Sequence, residues 1–158
     1  ATCHRAENTD DPKRLSEIVS ALAEVSRQMP VVLPLHPRTR KLIADNGLED
    51  KLGSVIVAEP IPFLDMVALE QAARVILTDS GGVQKEAFFY GVPCVTMRDE
   101  TEWVETLELG WNRLVGASAE TIVAAVSEAT QGIQALPEVS PYGRGDSARK
   151  IVASIINQ

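Results

Sequence analysis

The chain has 158 residues, 45% of them hydrophobic and 23% charged, with a formal net charge of −7. That length and balance suit one globular domain, while the absence of a bilayer-length apolar run or an opening signal-peptide pattern sets aside a membrane protein and favours the cytoplasm. The acidic balance excludes a general nucleic-acid binder, which needs a basic face to neutralise phosphates, but not a small anion held by local N–H groups.

In chain order, Ala1–His4 reads as a first strand, followed by a helix capped by Asp11 and started by Pro12. In that helix Leu15, Ile18, Val19, Leu22, Val25 and Met29 recur at helical spacing. Val31–Leu35 is a β-branched strand ending at His36-Pro37, and residues 38–46 form a short helix closed by Gly47. A strand at Val55–Val57 precedes a helix over Pro62–Ala73, with Phe63, Leu64 and Val67 expected toward the core. Then come a strand at Arg74–Thr78, a helix from Gly82 to Tyr90 stopped by Gly91, a strand at Pro93–Met97 and a helix at Glu100–Leu109. A strand at Arg113–Val115 follows, then helices at Ala119–Gln131 and about 146–156, separated by a Pro/Gly-rich linker.

The strands are apolar throughout rather than alternating, as strands buried on both faces are. Repeated strand–helix alternation then predicts an α/β, Rossmann-like, doubly wound parallel sheet over a single domain, residues 1–158. Ligands of such sheets bind beyond the carboxyl ends of the strands. The unusual polar residues fall there: His4-Arg5, His36-Pro37-Arg38, Asp79-Ser80-Gly81-Gly82 and Arg98-Asp99.

Ser80-Gly81-Gly82 at a strand-to-helix junction reads either as a plain tight connection or as an anion site, in which backbone N–H groups approach a phosphate, helped by the helix dipole and the Ser80 hydroxyl. It is neither the G-x-G-x-x-G dinucleotide fingerprint nor a Walker turn with its lysine. Glu86, one turn beyond Gly82, reads either as a solvated helix carboxylate or, being an odd neighbour for a phosphate, as an acceptor from sugar hydroxyls, as acidic residues are for ribose. His4 beside Arg5 can hold or protonate a leaving diphosphate. His36 reads equally as a turn ahead of a helix, and the glutamates from Glu100 to Glu108 read as a solvated helix face. Cys3 and Cys94 share no metal-type spacing, no metal or cofactor is expected, and reduced thiols are the simpler account. In an extended segment Cys3 and His4 point to opposite faces and cannot touch. The opening at Ala1, without methionine and directly into a dense polar motif, suggests a fragment or a processed chain.

Together, "TCHRAEN", "PLHPRT", "PIPFLDMVAL", "LTDSGGVQKEAFFYGVPCVTMRDETEW", "GWNRLVG" and "PYGRGDSARKI" resemble the non-hydrolysing UDP-N-acetylglucosamine 2-epimerase family, and only its C-terminal domain. The resemblance implies one half of a glycosyltransferase-B-type architecture, two Rossmann-like domains facing each other across a cleft, with UDP and a UDP-N-acetylhexosamine as ligands. It implies the N-terminal domain of the same enzyme as a partner, and a homodimer in the full-length protein. Ser80, Gly81 and Gly82 would cradle the diphosphate, Glu86 the ribose, and Ile61 and Met66 the uracil. His4, the one residue here with a catalytic role, and Arg5 would stand beside the diphosphate. Trp103 takes a place where many members carry a ligand-contacting arginine, which leaves the sugar open. The family's carboxylates for C2 proton transfer belong to the N-terminal domain, so this chain alone is expected to bind and not to catalyse. The alternative is the donor-binding half of a glycosyltransferase of the same architecture.

Overall fold

The structure, a computed structural model, describes residues 1–132, 141–143 and 145–156. Its elements are α1 (Ala6–Thr9), α2 (Pro12–Ser26), β1 (Val32–Pro34), α3 (Pro37–Asp45), β2 (Ile56–Ala58), α4 (Phe63–Ala72) and β3 (Ile76–Thr78). They continue with α5 (Gly81–Tyr90), β4 (Cys94–Thr96), α6 (Val104–Glu108), β5 (Asn112–Leu114), α7 (Ala119–Gln131) and α8 (Ser147–Ile156). Most of the expected linker before the last helix lies outside the described residues.

The strand pairs are all parallel: β1 with β2, and β3 with β4 and β5 in that order. The extended N-terminal residues lie between these two groups. Thr2 bridges Thr78 in parallel and donates its N–H to Leu77 O at 2.9 Å, while the Ala1 nitrogen donates to Val32 O at 2.7 Å. Where a first strand was expected, the pairing amounts to one bridge. Counting this segment first, the spatial order is 3-2-1-4-5-6, the doubly wound order, and the chain reverses direction across the sheet between Thr2 and β3. His4-Arg5 and Ser80-Gly81-Gly82 leave the sheet at that reversal.

Period-two alternation divides the strands between two cores. Leu77, Val95 and Met97 pack with Leu15, Ile18 and Leu22 of α2 and Ile122 and Val126 of α7. Ile76 and Cys94 pack on the other face with Ala87 of α5 and Val92. Helix ends follow local chemistry. The Asp11 carboxylate accepts from Lys13 N at 2.8 Å and Arg14 N at 3.3 Å, with Pro12 as the first helical residue. Gly91, at φ 67°, ends α5 in the left-handed conformation.

Two expectations are corrected. Phe63 and Leu64 were expected in the core but are 71% and 77% exposed. The inward stripe of α4 starts at Met66 and Val67 and ends on a buried glutamate, Glu70, so the first turn finds no apolar cover among the described residues. The helix expected from Glu100 begins only at Val104. Thr101 and Trp103 turn their polar atoms to α5 instead, and Trp103 at φ −107° and ψ 59° stands outside the helical region. The short helix α1 was not anticipated.

Candidate functional site

A fully buried carboxylate, Asp79, ties the strand ends together. It accepts from the His4 N–H at 3.1 Å, the Arg5 N–H at 3.0 Å and Asn8 Nδ2 at 3.2 Å, and His4 Nδ1 stands 3.6 Å from it. Asn8 in turn donates to Met97 O at 2.8 Å, reaching the end of β4. Thr78 accepts the Ser80 N–H at 2.9 Å, and the Thr2 and Thr78 hydroxyls are 2.6 Å apart. His4, Arg5, Ser80, Gly81 and Gly82, separated by about half the chain, thus share one edge. Ser80 is the N-cap of α5, yet its side chain makes no capping bond. Its hydroxyl is not committed to the helix, whose first-turn N–H groups point out of that end.

The segment after β4 closes over the same turn. Arg98, only 5% exposed, donates to Glu102 at 2.8 Å and stands 3.5 Å from Glu7. Glu102 lies 3.9 Å from Arg5, and its Oε1 would clash with a Cβ placed on Gly81. A side chain at position 81 would therefore dislodge that carboxylate. The Glu102 carboxyl is held below the usual carboxylate range by its own backbone N–H and then, against some burial, by Arg98 and Arg5. The Trp103 indole donates to Gly81 O at 2.7 Å, and Thr101 donates to the buried Gln84 of α5 at 2.6 Å. In the sequence alone Glu102 reads as part of a solvated helix face and Asp79 only as the start of the strand-end turn, while Asn8 and Gln84 stand out for no role of their own. The spacing of four between Arg98 and Glu102, immediately past a strand end, was the available signal.

Glu86 is half-buried on α5, which packs against α4. Its charge, after burial itself, pushes the carboxyl of Glu70 on α4 up to about 7. Met66 lies one turn before Glu70, and Ile61 just ahead of α4; both are half-buried. Met66 also lines an apolar cavity of about 480 Å³ with Val31, Leu69, Val75 and Leu77; His4, Arg5, Ser80, Gly81 and Glu86 do not line it. His36 serves the fold, since its Nδ1 caps α3 by accepting from Arg38 N at 3.2 Å. Burial raises both thiols, Cys94 to about 12 and Cys3 well above its ordinary value, where the Asp79 charge adds to it, so neither is poised as a nucleophile. Among the described residues no helix is long and apolar enough to cross a membrane.

Comparison with known proteins extends this description. The profile of the UDP-N-acetylglucosamine 2-epimerase family matches residues 1–156. A Pseudomonas aeruginosa protein named UDP-2,3-diacetamido-2,3-dideoxy-D-glucuronate 2-epimerase is 51% identical over 152 residues, which are 96% of this chain and 42% of that protein. The Methanocaldococcus jannaschii UDP-GlcNAc 2-epimerase in complex with UDP-GlcNAc and UDP superposes with a TM-score of 0.89 at 39% identity, over 99% of this chain and 44% of that one. The Neisseria meningitidis enzyme bound to UDP-GlcNAc superposes with a TM-score of 0.80 at 30% identity, over 99% of this chain and 44% of that one. The chain thus spans less than half the length of these relatives. With a family match along nearly all of it and the same Rossmann-type parallel α/β fold, the chain belongs to the UDP-N-acetylglucosamine 2-epimerase family.

Proposed function

We propose that this chain is the UDP-binding domain of a nucleotide-sugar 2-epimerase, and that the enzyme is completed by a second, N-terminal domain. The α5 N-terminus takes the diphosphate on the N–H groups of Gly81 and Gly82 and the Ser80 hydroxyl. Arg5 and His4 stand beside it, Glu86 takes the ribose hydroxyls, and Ile61 and Met66 border the uracil. What supports this most is the strand-end edge itself, where Asp79 brings His4 and Arg5 onto the α5 N-terminus. The relative that superposes on 99% of the chain holds UDP-GlcNAc and UDP.

Such a site does not need to perform the proton transfer. In the reaction, the C2–H bond and the bond from C1 to the UDP oxygen break to give a glycal. UDP then returns to C1 while a proton is added to the opposite face of C2. The charge that develops on the departing β-phosphate is met by the helix N-terminus and Arg5. A proton on His4 would assist that departure. The base for C2 is assigned to the other domain, and closure between domains keeps water from the glycal.

The sugar is an N-acetylated hexosamine on UDP. Its closer definition lies between UDP-N-acetylglucosamine and the diacetamido glucuronate named for the Pseudomonas relative. Full-length protein incubated with each nucleotide sugar and no acceptor is expected to invert C2 of one of them, as read by NMR. Turnover that requires an acceptor would overturn the epimerase reading in favour of a transferase.

A further inference from the structure

Trp103 is the residue whose contacts least resemble filler. It is half-buried in the segment between β4 and α6, and its indole N–H donates to the Gly81 carbonyl at 2.7 Å. Gly81 opens α5, so that carbonyl belongs to the first peptide units of the helix end that faces an anion. The indole nitrogen would also lie 3.4 Å from a Cβ placed on Gly81, next to the Glu102 carboxylate. The segment is fixed on both sides of this contact. Trp103 N–H donates to Thr101 Oγ1 at 3.2 Å, and Thr101 donates to Gln84 of α5 at 2.6 Å. The ring has further partners: Lys85 Nζ stands 4.2 Å from its centroid and 4.5 Å from that of Tyr142. Trp103 meets Tyr142 edge-on with centroids 5.9 Å apart.

The geometry points to Trp103 as a positioning residue for the phosphate-binding turn, holding the first peptide of α5 through Gly81 while its neighbour Glu102 holds Arg5 and Arg98. Apolar packing alone does not need the indole nitrogen, since phenylalanine offers a comparable ring. A directed bond to a first-turn carbonyl fixes the orientation of the turn. Oriented N–H groups discriminate for charge that sits in front of them. The role therefore concerns phosphate, and uridine binding should be indifferent to it. The inference rests on reading Ser80–Gly82 as the diphosphate cradle.

The test is calorimetric titration of the full chain and its Trp103→Phe variant with UDP and with uridine. The variant keeps the ring and loses the donor. UDP affinity is expected to fall about 5- to 10-fold, the scale of one hydrogen bond, with uridine affinity unchanged. If W103F keeps the wild-type preference for UDP over uridine, or weakens both ligands equally, Trp103 is a packing residue and the inference fails while the cradle stands. If the wild type itself does not prefer UDP to uridine, the cradle reading fails, and this inference with it. Should W103F fold poorly, Trp103→His, which keeps a ring nitrogen, is expected to retain more of the UDP preference than Trp103→Leu. Equal loss in the two would overturn the positioning role.

Discussion

Glu70 shows how much one side chain can say about this fold. It is 4% exposed on α4, at a position where the helical pattern would place an apolar residue. Burial, and then the Glu86 charge, raise its pKa from 4.5 to about 7. A carboxyl raised in the folded state holds a proton that the unfolded chain has already released. Stability is therefore unaffected by Glu70 below about pH 4.5, falls as the pH rises toward 7, and carries the full penalty above that. Replacing Glu70 by Gln removes the titration and keeps the shape. The melting temperature of E70Q is expected to match wild type near pH 4.5 and to exceed it increasingly up to about pH 7.5. A difference that stays constant over that range would show that Glu70 does not titrate there. Neither the burial of this glutamate nor the node made by Asp79 was legible from periodicity, because both depend on which distant backbone arrives beside the side chain.

At the scale of elements, the first turn of α5 and the segment from Arg98 to Trp103 act as one unit. A methyl group on Gly81 would collide with Glu102 Oε1. Glu102 ends in a flexible carboxylate, so the clash is relieved by moving it off Arg98 and Arg5. Gly81→Ala alone is thus expected to lower stability by about 1 kcal/mol, and Gly81→Ala in a Glu102→Ala background by much less, since a helix otherwise favours Ala over Gly. Chemical denaturation of the two single variants and the double variant measures this coupling. Strict additivity would separate Gly81 from Glu102. The elements themselves were largely readable. Asp11-Pro12 and Gly91 mark helix ends by local backbone chemistry, and the apolar strands advertise a parallel sheet. The helix expected from Glu100 starts late because Thr101 and Trp103 give their hydrogen bonds to α5, a tertiary choice that no window of sequence contains.

For the molecule as a whole, the order of strands explains why the polar motifs collect on one edge. The N-terminal segment and β3 are adjacent, and the helices that follow them pack on opposite faces of the sheet, which makes their carboxyl ends the switch point where sheets of this kind bind ligands. The strand-end rule needs only the sequence, and it picks out the same cluster. It cannot say that Arg98 and Glu102 fold back over Gly81, nor that Phe63 and Leu64 stay exposed on α4. The chain spans less than half the length of its relatives, and in the proposed function it is the part that binds the nucleotide.

In the proposed function UDP binds at the switch-point edge through the α5 N-terminus. Titration of the isotopically labelled chain with UDP, followed amide by amide in NMR spectra, tests it most directly. The largest shifts are expected on the amides of Arg5, Ser80, Gly81, Gly82 and Glu86. Saturable binding with shifts confined to other residues, or no binding at millimolar UDP, would contradict it.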